Sequence, residues 1–125
     1  MNIPKGHQAV MPYLMLNNAA GFITFMQDVF AATLQHISYR DEALQVVMHG
    51  ELNCGGSAIM FCDTTEDWKE QTANMFIYVN DADATYQKAT DAGAITIMPP
   101  EDKDYGRSCG IRDAFGNTWW ITSVK

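Results

Sequence analysis

His49 and Glu51 stand two residues apart in Gln45–Asn53, a stretch that reads as a β-strand, so their side chains share one face. A histidine beside a carboxylate is a general-base pair, in which the Glu orients the ring and raises its basicity. The bland alternative is a strand pair that satisfies itself or a neighbouring backbone at a rim. The opposite face, with Val46, Met48 and Leu52, is apolar and suits packing beneath a helix. That turns His49 and Glu51 toward any cavity. Arg107 and Cys109 are read as the equivalent positions in the second half of the chain. A guanidinium fork pairs bidentately with carboxylate or phosphate, so Arg107 is either a ligand clamp or a structural ion pair with Glu51 or Asp104. Cys62 or Cys109 beside that charge would be an activated thiolate; buried in apolar surroundings, either is an inert thiol. Tyr13, Phe76 and Trp120 fall at inward positions by alternation and, with Met11 and Met60, line an apolar, π-rich cavity or collapse to fill it. His7 and His36 read as surface residues, and Trp68 as a cover for the pocket mouth or a subunit contact.

The elements that must position these residues follow from periodicity and turn chemistry. Gln8–Leu16 reads as a strand, Asn17-Asn18 as a helix cap and Ala19–Phe30 as a helix, with apolar residues at Phe22, Phe25, Met26, Val29 and Phe30. Strands follow at Thr33–Tyr39, Gln45–Asn53 and Ser57–Cys62, the last two joined through Gly55-Gly56. Residues 63–72 are polar and loop-like. The order then recurs: a strand at Ala73–Val79, a helix capped by Asn80 or Asp81 and stopped by Gly93, and a strand at Ala94–Met98 ended by Pro99-Pro100. After a loop at Asp102–Gly106 come strands at Arg107–Arg112 and Thr118–Ser123 around a hairpin at Asp113–Asn117. Laying one half on the other puts Leu16 on Val79, Asn17 on Asn80 and Ala31 on Ala94, and, in the later strands, Gly50 on Gly110 and Gly56 on Gly116. The chain therefore reads as an α+β protein of two tandem βαβββ modules. It forms one domain over residues 1–125, with module one at 7–63, a linker at 64–72 and module two at 73–125. Each module curves into a half-open sheet, and the two enclose a cavity.

Composition narrows the function classes. The net charge of −7 and the lack of any Lys/Arg run argue against nucleic acid and anionic membranes as partners. The apolar stretches are strand-length, too short to span a bilayer. Residues 1–6 lack the apolar region of a signal peptide, and the three cysteines form no CxxC pair, which together predict a cytoplasmic protein with free thiols.

Pro12-Tyr13-Leu14, Asn18-Ala19-Ala20, His49-Gly50-Glu51-Leu52, Ser57-Ala58-Ile59-Met60, Tyr78-Val79-Asn80-Asp81-Ala82, Tyr105-Gly106-Arg107 and Asp113-Ala114-Phe115-Gly116-Asn117-Thr118-Trp119 occur in order along almost the whole chain. In that order they resemble the motifs of PhnB-like proteins of the vicinal-oxygen-chelate (glyoxalase/bleomycin-resistance/dioxygenase) superfamily. The resemblance implies a glyoxalase-like fold and commonly a homodimer. It also implies that the four positions used as metal ligands in metal-dependent members fall at Met11, Met60, Asn74 and Trp120. Thioether and indole do not suit a hard or borderline divalent ion, so no metal and no other cofactor is expected. The leading expectation is a small-molecule-binding protein, with Met11, Tyr13, Met60, Cys62, Phe76, Arg107, Cys109 and Trp120 as ligand-binding residues. One alternative is a metal-independent lyase or isomerase, or a dioxygenase of the superfamily, acting on an oxygen-rich small molecule with His49 and Glu51 as its catalytic pair and Arg107 working beside them. The other is an antibiotic-sequestering resistance protein.

Overall fold

The computed structural model describes residues 1–125. Its elements are β1 (Tyr13–Leu16), α1 (Ala19–Phe30), β2 (Thr33–Asp41), β3 (Val46–Cys54), β4 (Ser57–Asp63), β5 (Asn74–Tyr78), α2 (Ala82–Asp91), β6 (Ile95–Lys103), β7 (Gly106–Arg112) and β8 (Thr118–Ser123). This is βαβββ twice. The strands form two four-stranded sheets of identical order, β1-β4-β3-β2 and β5-β8-β7-β6. In each sheet the first strand pairs parallel to the last, and the other pairs are antiparallel.

Local chemistry explains the helix starts. Asn18 caps α1 by accepting a hydrogen bond from the Gly21 amide at 3.0 Å, and Asp81 caps α2 by accepting from Ala84 at 3.1 Å. Asp63 ties the first helix to its sheet: its carboxylate accepts from the amides of Ala19 (2.9 Å) and Val47 (2.7 Å). One apolar core joins the modules, because α1 carries aromatic residues that reach both. The Phe22 ring meets Phe61 of β4 at 5.5 Å and Phe115 of the β7–β8 turn at 5.8 Å, and Phe30 meets Trp119 of β8 at 4.7 Å.

Most strand ends fall within two residues of expectation, and two boundaries differ by more. The first strand begins at Tyr13, not Gln8. Gln8 nevertheless continues its role: the side-chain amide donates to the Ala58 carbonyl at 2.9 Å and accepts from the Ala58 amide at 3.0 Å, mimicking a paired peptide unit ahead of Pro12. The sixth strand does not end at Pro99-Pro100 but continues to Lys103. It lies at the sheet edge, and its register with β7 shifts between Met98 and Glu101, so two residues lacking an N–H are accommodated in a bulge. No helix is long and apolar enough to cross a membrane.

Candidate functional site

Each sheet buries one face under the helices and leaves the other open. On the first sheet the open face carries Tyr13 and Met15 from β1, with Met60 and Cys62 beside them as register partners on β4. His49 and Glu51 come from β3, where Glu51 pairs with Met60 on one side and His36 on the other. The expected alternation fails just upstream. Ser38 pairs with His49 but Tyr39 pairs with Val47, so Met48 is bulged out and 51% exposed, whereas Val47 and Leu52 are fully buried. The bulge moves the apolar phase from Val46 and Met48 to Val47 and leaves His49 and Glu51 open.

These residues form a hydrogen-bonded chain. The Glu51 carboxylate meets His49 Nε2 at 2.8 Å and His7 Nε2 at 2.6 Å, and His49 Nδ1 meets the Tyr13 hydroxyl at 2.9 Å. The hydrogen bond from His7, and then that from His49, hold the Glu51 carboxyl below its ordinary range against the opposing effect of burial. As an ionised carboxylate Glu51 only accepts, so both imidazoles donate to it. A neutral His49 then has Nδ1 free to accept from Tyr13. Burial raises the Tyr13 pKa, with the nearby Cys62 and Glu51 adding to the shift, so the phenol keeps its proton. The His36 ring lies 5.9 Å from that of His49. His7 and His36, read from sequence as surface residues, thus flank the pair. His36, Ser38 and Arg40 alternate on β2, a signal that reveals this face; nothing in the residues around His7 predicts its contact with Glu51.

The open face of the second sheet is aromatic. Phe76 and Tyr78 are 50% and 68% exposed, with ring centroids 5.2 Å apart. Trp120 is the register partner of Phe76 and donates its indole N–H to Asn74 Oδ1 at 3.1 Å. Gly110 lies under that indole, where a Cβ would stand 2.4 Å from the ring.

Arg107 and Cys109 are not on this face. Met60 pairs with Glu51, and its counterpart Trp120 pairs with Gly110. The residues equivalent to His49 and Glu51 are therefore Ser108 and Gly110, one position from the expectation. A one-residue slip reverses the face of every side chain in a strand. Arg107 instead turns toward α2: Nε and Nη2 each donate to the Asp83 carboxylate at 3.1 Å, and Asp102 lies 3.5 Å from Nη1. This is an ion pair, with Asp83 and Asp102 in place of the expected Glu51 or Asp104. Cys109 is fully buried, and its thiol is pushed up to about 11, chiefly by burial. Burial likewise raises the pKa of Cys62 and Cys54, so none of the three is an activated thiolate.

The two main cavities of the single chain reflect this separation. One, of about 840 Å³, is polar and holds Arg107 among Asp81, Asp83, Asp102 and Asp104. The other, of about 520 Å³, runs from Gln8, Pro12 and Ile59 to Asn74, Phe76 and Tyr78. Neither contains Tyr13 or His49. A single pocket of Tyr13, His49, Phe76, Arg107 and Trp120, expected between the two sheets of one chain or of a dimer with exchanged modules, is not one of these two cavities of the single chain. Trp68 of the linker is exposed.

The four positions implied as metal ligands do not fit a divalent ion. Met60 and Trp120 occupy the face positions beside Tyr13 and Phe76, and the amide oxygen of Asn74 is already taken by the Trp120 indole. Met11 adds a second thioether. No group of three or more His, Cys, Asp or Glu side chains is placed to hold a metal ion.

The family model described as "Glyoxalase/Bleomycin resistance protein/Dioxygenase superfamily" matches residues 7–121. An uncharacterized protein of Arabidopsis thaliana is 30% identical over 116 residues, covering 82% of this chain and 70% of its own. Among solved structures, TioX from Micromonospora sp. ML1 superposes with a TM-score of 0.74 at 22% identity, over 94% of this chain and 97% of its own. The PhnB protein from Bacillus cereus superposes with a TM-score of 0.71 at 17% identity, over 94% of this chain and 100% of its own.

Proposed function

The chain belongs to the glyoxalase/bleomycin resistance protein/dioxygenase superfamily, and from that membership we propose that it binds a small, partly aromatic molecule on its open sheet faces without a divalent metal. The observation that carries this reading is the presence of two unlike open faces. One holds the Tyr13–His49–Glu51–His7 chain, and the other holds Phe76, Tyr78 and Trp120, with Tyr13 and Phe76 half-exposed. Side chains of this kind, open to water, supply flat apolar contact and a few oriented polar groups, which is what a small-molecule site needs. The donor chemistry at Met11, Met60, Asn74 and Trp120 supports the metal-free form of the reading.

A second copy of the chain completes the site in this proposal. The single chain leaves Tyr13, Phe76, Tyr78, Ile95 and Ile97 exposed, apolar side chains that a partner chain would cover. Light scattering at micromolar concentration should give twice the 14.0 kDa chain mass. A mass of one chain would remove the partner from the account.

A second reading, acid–base chemistry of the lyase or isomerase type, is favoured by one specific feature. Tyr13, His49 and Glu51 are joined in series, so the phenol oxygen sits 2.9 Å from an imidazole nitrogen whose other nitrogen is held by a carboxylate. Such a chain can pass a proton to or from a bound molecule at the Tyr13 oxygen.

A further inference from the structure

We propose that Arg40 anchors an oxyanion subsite on the open face of the first module, so that the bound molecule carries a carboxylate or phosphonate beside an aromatic or aliphatic body. The inference rests on the small-molecule reading above and specifies the ligand's chemical class.

The charge distribution is the first argument. The chain has 15 acidic against 8 basic residues, yet all three histidines and Arg40 gather on or beside this one sheet face. The acidic groups nearby are engaged elsewhere. Glu51 is bound by two imidazoles. Asp63 directs its carboxylate to the Ala19 and Val47 amides, and Asp41 accepts from the Leu44 amide in the β2–β3 turn.

The state of Arg40 and Arg107 is the second argument; the third arginine, Arg112, stands at the end of β7 on the second sheet. The fork of Arg107 is occupied by Asp83, with Asp102 beside it. Arg40 is exposed and pairs with no carboxylate; it makes a long donation of 3.5 Å to the Asp63 backbone carbonyl and a side-chain contact with the neighbouring Cys62 thiol. The bond to the Asp63 carbonyl sets the guanidinium at the end of β4, beside Cys62, and its charge acts on both the Cys62 thiol and the Tyr13 hydroxyl. A guanidinium whose fork holds no carboxylate, on the face that carries the half-exposed Tyr13 ring, Met15 and Met60, presents bidentate donors over an apolar shelf. An oxyanion attached to a hydrophobic group matches both parts. Lys in its place would keep the charge and lose the fork.

Calorimetric titration of the full-length protein with benzoate, phenylphosphonate, benzamide and benzylammonium tests this. Benzoate or phenylphosphonate should bind about tenfold or more tightly than neutral benzamide, and benzylammonium more weakly than either anion. Arg40→Gln should abolish the preference while leaving benzamide binding and the melting temperature unchanged, and Arg40→Lys should retain part of it. Arg107→Gln should retain the whole preference. Benzamide binding as well as both anions, or an anion preference that survives Arg40→Gln, would overturn the oxyanion subsite and leave the binding reading standing. Failure of all four probes to bind at millimolar concentration would overturn both.

Discussion

Replacing Asp113 by Ala is expected to lower the unfolding free energy by about 3–5 kcal/mol, as removal of a buried, multiply bonded charge does. Asp113 is 4% exposed and stands at the β7–β8 turn. Oδ1 accepts from the amides of Phe115 and Asn117, both at 2.9 Å, while Oδ2 accepts from Asn117 Nδ2 at 3.1 Å and Trp119 Nε1 at 2.9 Å. Losing the carboxylate leaves these donors unpaired in or near the core. The damage also propagates, because the side-chain oxygen of Asn117 accepts from the Ala73 amide at 3.0 Å and so fixes the entry to β5, while Trp119 packs on Phe30 of α1. Asp113→Asn keeps the shape but offers one acceptor oxygen, and should cost less. Urea unfolding should show a lower midpoint with an unchanged slope. A loss below about 1 kcal/mol, the net worth of one ordinary hydrogen bond, would contradict the anchoring role.

Phe22→Ala is expected to cost a similar amount, about 3–5 kcal/mol, through lost burial and a cavity that cannot collapse. Phe22 is fully buried, and its ring sits edge-on to Phe61 of the first sheet and Phe115 of the second module's turn. Because one residue touches both modules, the loss should weaken a single cooperative transition instead of splitting it. Two resolved calorimetric transitions in the variant would mean that the modules fold separately and that Phe22 merely links them.

The order of elements was legible in the sequence because alternation, helix caps and hairpin turns all agreed. The placement of Tyr13 and Phe76 on the sheet face away from the helices followed from the same alternation. The face of Arg107 and Cys109 was not legible, because two glycines with opposite tasks had been laid on each other. Gly50 lies beneath the Phe61 ring on the helix side, whereas Gly110 lies beneath Trp120 on the open side. Close approach of a ring asks for glycine on either face, so matching glycines carried no information about which face they served. Met48 was misplaced for a related reason: a bulge adds one residue to a strand and leaves no mark in apolar patterning. Pro99-Pro100 misled because a proline ends an interior strand but is tolerated on an edge. The contact of His7 with Glu51 depends on where the N-terminal stretch crosses the sheet, which no local pattern encodes. No sequence pattern separates Arg40 from Arg107, because only the partners met in the fold distinguish a guanidinium engaged by carboxylates from one that is not.

The central claim is a metal-independent ligand site on the open faces. It is tested most directly by a methyl-¹³C-methionine NMR spectrum of the protein in EDTA, titrated with benzoate and with benzamide. Met15 and Met60 report on the first open face, and Met26, fully buried under α1, reports on the core. The account predicts saturable shifts of the Met15 and Met60 methyl signals with at least one probe while Met26 stays in place. Signals that stay fixed with both probes in EDTA and move only after zinc is added would contradict it.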